Sequence, residues 1–83
     1  MVRKPEYDLR AFAHGLRLIM AAEEISCTML SEWAGVGKDT VSDWRNAVSL
    51  PKPHNIIKIE EIFRLPISEI VRVGKGGGYG KKT

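Results

Sequence analysis

Only one cysteine, Cys27, stands among the 83 residues. A lone thiol cannot form an internal disulfide, which points to a reducing, cytoplasmic setting. Long apolar runs are missing too: nothing approaches the ~18 consecutive apolar residues of a membrane span. The opening Met1-Val2-Arg3-Lys4-Pro5-Glu6 leads into no apolar stretch, so no signal peptide is expected. The two histidines, His14 and His54, lie far apart with no cysteine or acidic cluster beside either. A zinc site is therefore not expected. No paired carboxylates, nucleophile with its base, or metal-ligand cluster stands out, so catalysis and cofactor or small-molecule binding are not expected. Strand-like alternation and internal repeats are likewise missing.

The chain does have 43% hydrophobic and 28% charged residues, ordinary for one small globular domain. A core this small is marginal, so it must pack efficiently or gain stability from a second copy. The net charge is +3 and is unevenly placed. Lys75, Lys81 and Lys82 lie in the last ten residues, where there is no acid, and the remaining ten basic side chains balance the ten acidic ones. A neutral body with a basic tail is a weaker electrostatic footprint for nucleic acid than a uniformly basic surface.

Apolar spacing predicts helices throughout. Leu9, Phe12, Leu16, Ile19 and Met20 recur at intervals of three and four, with Asp8 as N-cap and an end near Glu23 or Glu24. A short helix follows over about Thr28–Ala34, capped by Ser26 or Thr28, with Leu30, Trp33 and Ala34 inward. Gly35 sits where a left-handed residue would end it, and Val36 drops into the turn. A third helix over about Lys38–Asn46 buries Val41 and Trp44, and both tryptophans are expected in the core. Leu50-Pro51-Lys52-Pro53 reads as a non-helical connector. A fourth helix over about Asn55–Phe63 carries Ile56, Ile59, Ile62 and Phe63, and Ser68-Glu69-Ile70-Val71 forms a short fifth turn. Residues 1–7 are expected to form an arm, 8–73 the domain and 74–83 a flexible glycine- and lysine-rich tail. That tail fails the Walker phosphate-loop spacing, because Lys75 stands where a glycine is needed and Lys82 where Ser or Thr is needed.

A short helix, a glycine turn and a second short helix form the helix-turn-helix pattern. From Ile25 to Ile70 the chain resembles the phage-repressor and Cro type of helix-turn-helix protein, the XRE family. The match rests on Ile25-Ser26-Cys27, Leu30-Ser31, Ala34-Gly35-Val36-Gly37, Val41, Trp44, Pro51, Ile56-Ile57, Ile59, Phe63, Leu65 and Ile67 through Ile70, in register without a gap. It spans about two thirds of the chain. The resemblance implies an all-α, five-helix bundle that reads duplex DNA as a transcriptional regulator. The simplest form is a repressor that occupies the promoter of a phage or mobile-element operon.

By that register Lys38, Asp39, Ser42 and Asp43 face base edges. Lysine can donate to guanine O6 and N7, and aspartate can accept from cytosine N4. The plainer alternative has Asp39 serving the helix N-terminus and Asp43 solvated. Ser26, Cys27, Thr28, Thr40, Arg45, Asn46 and Lys52 are the candidate backbone contacts. The family implies a homodimer on half-sites about 34 Å apart, with Ile67, Ile70 and Val71 as candidate interface residues.

Three departures qualify the match. Cys27 replaces a common glutamine, and Ala47 replaces the glycine that usually closes the recognition helix. Met20 and Arg45 stand where the family pairs an arginine with a glutamate, so Met20 is expected to pack on the stem of Arg45 and free its guanidinium for a phosphate. Cys27 at a helix start could also act as a redox sensor, against the simpler role of a small, half-buried thiol. The tail is either solvated or a basic arm on phosphates, as Arg3 and Lys4 could be at the other end. An alternative function keeps the same helical face for a protein, as in an antitoxin or anti-activator; the neutral body and the two aspartates favour it.

Overall fold

A computed structural model describes residues 8–77. The described chain is all-helical, with α1 (Leu9–Glu23), α2 (Cys27–Ala34), α3 (Lys38–Arg45), α4 (Pro53–Phe63) and α5 (Ile67–Arg72). A final wide helical turn, Val73–Gly77, continues α5 until Gly76 breaks the path at φ 99°. No helix among the described residues is long and apolar enough to cross a membrane. The arm at 1–7 and the end of the tail at 78–83 lie outside the described residues.

Local chemistry sets most of the helix starts. Asp8 accepts hydrogen bonds from the N–H groups of Arg10 and Ala11, and Ser26 accepts one from Met29 N–H at 3.1 Å. Each bond satisfies a donor that the first helical turn would otherwise leave open. Pro53 lies inside α4 as its first residue, not in the connector before it. Its fixed φ suits that position, and its missing N–H has no partner to lose there. α5 has Pro66 at its N-cap and no side chain of its own to serve the cap. Glu60 on α4 supplies one from a distance, its Oε2 accepting from Ile67 N–H at 2.7 Å.

α1 is the central element, packed against α3, α5 and the final wide turn. Its buried stripe of Phe12, Leu16, Ile19 and Met20 meets Leu30, Ala34, Val41, Trp44, Ile59, Phe63, Ile70, Val71 and Val73 in one core. The approach of α5 to α1 is close enough to exclude a methyl group. A Cβ on Gly15 would lie 1.9 Å from the Ile70 carbonyl oxygen, and one on Gly74 would lie 1.7 Å from the Ala11 carbonyl oxygen. Gly74 is therefore part of the packed body, and the expected flexible tail does not begin there. Glycine content suggested looseness, whereas two backbones meeting face to face need it.

Burial corrects three further expectations. Trp44 is in the core, but Trp33 is half exposed at 52%. Leu30, Ser31 and Ala34 fill the inward side of α2, and Trp33 lies on its flank. Ile70 and Val71 are enclosed by the chain's own helices, so they have almost no surface to offer a second copy. Ile67, the third candidate dimer residue, is only partly buried. On α4, Ile59 and Phe63 are buried, while Ile56 and Ile62 are half buried at the edge of the core.

At the end of α5, Arg72 pairs with Glu69 and donates to the Gly77 carbonyl at 3.1 Å. The Arg72 hydrogen bond holds the Glu69 carboxyl below its usual value. A lowered folded pKa means the contribution is present above the unfolded value and lost as pH falls through the folded one. Arg72→Ala should flatten whatever acid-limb pH dependence this pair contributes, as read by thermal melts between neutral and acidic pH.

Opposing effects meet at Gly15. Alanine is better than glycine in a helix interior by about 1 kcal/mol, but here its methyl would strike backbone. Forced overpacking of this kind costs about 1–3 kcal/mol, so Gly15→Ala and Gly74→Ala should each lower Tm by several degrees. A rise in Tm for Gly15→Ala would mean that α1 and α5 are farther apart than described.

Candidate nucleic-acid interface

α2 and α3 are eight residues each, joined by Gly35, Val36 and Gly37. Gly35 takes the left-handed conformation at φ 72°, and Val36 N–H reaches back to the Ser31 carbonyl at 3.0 Å. Lys58 of α4 covers the same helix end by donating to the Ala34 carbonyl at 3.2 Å. Gly37, extended at φ −76°, then starts α3 without a side-chain cap.

α3 turns Val41 and Trp44 inward. At about 100° per residue, Asp39, Ser42, Asp43 and Asn46 fall on the opposite side, with Lys38 at one margin and Thr40 at the other. Lys38, Asp39, Ser42 and Asn46 are exposed, and Asp43 and Thr40 are half buried. The side chains of Lys38, Asp39 and Asp43 enter no hydrogen bond or ion pair among the described residues. Asp39 lies in the first turn of α3 without bonding its N-cap, so its relation to that terminus is one of charge and dipole. Asn46 donates from Nδ2 to Ser42 Oγ at 3.1 Å, which ties these two side chains together one turn apart.

The N-terminus of α2 and the C-terminus of α3 meet. Arg45 donates from its guanidinium to Cys27 Sγ at 2.7 Å, and its Nε is buried without a partner. The expected phosphate-seeking guanidinium is thus turned inward. Met20 is buried at 3% exposure and presents no charge to hold Arg45 in another direction, so the guanidinium settles on the sulfur. Cys27 is half buried, the first residue of α2, and engaged as an acceptor.

Ser26 and Thr28 are exposed beside it, although the Ser26 hydroxyl is already committed to capping. Lys52 is exposed at the N-cap of α4, and its side chain bonds to none of the other candidates. The expected contacts therefore split into a contiguous group on α2 and α3 and an outlying Lys52.

Comparison of the chain with protein-family models, with curated proteins and with solved structures finds no match. What the face can do rests on its own residues.

One residue that the sequence did not single out for this face reaches the end of α3. Arg17 on α1 donates to the carbonyl of Arg45 and also contacts His14 Nδ1 at 3.3 Å. Arg17 stands three positions before Met20, on the next turn of the same helix, and that spacing was the available signal.

α3 ends at Arg45 with Asn46 as its C-cap, after which Ala47 takes the left-handed conformation at φ 60° and Val48 N–H bonds the Asp43 carbonyl at 2.9 Å. Alanine here does what glycine would do without a Cβ penalty. That penalty is about 1–2 kcal/mol, so Ala47→Gly should raise Tm by a few degrees. Unchanged or lower stability would contradict the left-handed assignment.

Proposed function

We propose that this chain is a sequence-specific duplex-DNA-binding regulator of the phage-repressor type, with α2 and α3 as its helix-turn-helix. The observation that carries this reading is the outer face of α3. A short helix held by an apolar underside presents Lys38, Asp39, Ser42, Asp43 and Asn46 outward, and the first, second and fourth of these have no side-chain partner among the described residues. Uncommitted donors and acceptors on one face of a helix are what a major groove can engage, since each base pair there displays a distinct pattern. The helix would enter the groove while the start of α2 lies on the backbone, with Ser26, Thr28 and Asn46 near phosphates.

Two carboxylates on such a face weaken attraction to phosphate, so their contribution would be selectivity. The simplest action of such a domain is occupancy of a promoter. A two-fold dimer on adjacent half-sites would need a surface other than Ile70 and Val71.

A second reading, a protein-binding module such as an antitoxin or anti-activator, is favoured by one observation. Trp33 and Ile57 are exposed at 52% and 57%, and indole rings are common anchors of protein interfaces.

Fluorescence anisotropy against a duplex from upstream of its own gene and a scrambled duplex, across a salt series, separates the two. DNA readout predicts tight binding to the first duplex, with Lys38→Ala and Asp43→Ala changing base preference on the order of tenfold. Equal, weak binding to both, lost at moderate salt, would leave the protein-binding reading.

A further inference from the structure

We propose that Arg17 is a pre-positioned phosphate contact at the carboxyl end of α3, and that it takes the role the sequence pattern assigns to Arg45. This rests on the DNA-binding reading above and adds a residue from outside α2 and α3.

The two guanidiniums are disposed oppositely. Arg45 points into the molecule, with one nitrogen on Cys27 Sγ and its Nε buried. Arg17 is exposed on α1 and bonded to the backbone carbonyl of that same Arg45. The α1 helix therefore places a cation where α3 ends, beside the start of α2, which Arg45 reaches through Cys27. These are the two helix ends that flank the outward face of α3.

Helix polarity makes a cation at that place useful. The last turn of a helix leaves carbonyl oxygens without intrahelical partners and carries partial negative charge. A phosphate brought near the end of α3 would meet that charge. Asn46 N–H and Val48 N–H already satisfy the carbonyls of Ser42 and Asp43. Arg17 covers the carbonyl of Arg45, which makes this end of α3 acceptable to an anion.

Arg17 also retains donors to spend. A guanidinium carries five N–H groups in a fixed fork. One serves the Arg45 carbonyl and one faces His14 Nδ1, so three remain for solvent or a ligand. These two contacts hold the side chain in place before any ligand arrives, which lowers the entropy lost on binding. His14 sits three residues earlier on the same helix, its Nδ1 3.3 Å from the Arg17 guanidinium.

The test is the salt dependence of DNA binding by the full chain. Each cation that neutralises a phosphate adds about 0.9 to the slope of log K against log salt concentration. Arg17→Met should weaken binding to specific and scrambled duplexes alike and reduce the slope by about one contact. Arg17→Lys, which keeps the charge, should restore most of the slope, and Arg45→Met should leave it unchanged. Thermal melts of the same variants confirm that each is folded at the temperature of the titration. If Arg17→Met proves unstable, the comparison of Arg17→Lys with Arg17→Gln carries the test. A slope unaltered by removing Arg17, in a protein that does show a salt-dependent slope, overturns the proposal and leaves the DNA-binding reading intact. A wild-type protein with no salt-dependent affinity for any duplex overturns that reading instead.

Discussion

The contact on which the rest of this structure depends is the meeting of two backbones, α1 at Gly15 and the end of α5 at Gly74. Each glycine abuts a carbonyl of the opposite segment at a distance no side chain could share. Dispersion attraction falls steeply with small gaps, so this approach sets how tightly α5 closes over the core. Ile70 and Val73, both fully buried, lie on the segment that it holds down. Phe12, Leu16 and Ile19 are thereby covered on the side of α1 that faces α5, and α1 becomes a fixed post for α3. The candidate interface is consequently borne on the most thoroughly packed helix of the fold.

Features governed by neighbours a few positions away were legible in the sequence. Asp8, Ser26 and Gly35 announce helix ends because capping and left-handed turns are local events. The apolar spacing of α1, the inward placement of Val41 and Trp44, and the order of five helices follow from the same short-range periodicity. The polar outer face of α3 was legible for the same reason. Its inward residues define its outward ones.

What the sequence concealed depends on distant partners. Glycine at 74 reads as slack until Ala11, more than sixty positions away, is seen against it. Ile67, Ile70 and Val71 are alike in character, and only the position of α1 decides that two of them are enclosed. Trp33 has the apolar look of a core residue, yet eight residues of α2 offer too narrow an inner face for it beside Leu30 and Ala34. Arg45 was expected to reach outward because Met20 offers it no charge to pair with. Its guanidinium turns instead to Cys27, while the exposed Arg17 of the neighbouring helix bonds the Arg45 carbonyl.

Three helices end on non-glycine residues in the left-handed conformation: Glu24, Ala47 and Arg64, with φ of 59°, 60° and 59°. None of these endings is the local preference of its residue. Each is closed by the N–H of the next residue, Ile25, Val48 or Leu65, bonding back five residues, and Ile25 and Leu65 also pack against the core. Helices of eight residues are also marginal on their own. Neither the lengths of the helices nor the corners between them can then outlast the packed centre. The consequence is cooperativity: there is little among the described residues that could melt alone. Loss of the core should release every corner together, so that unfolding is close to a single all-or-none event in which the α3 face is either fully formed or gone.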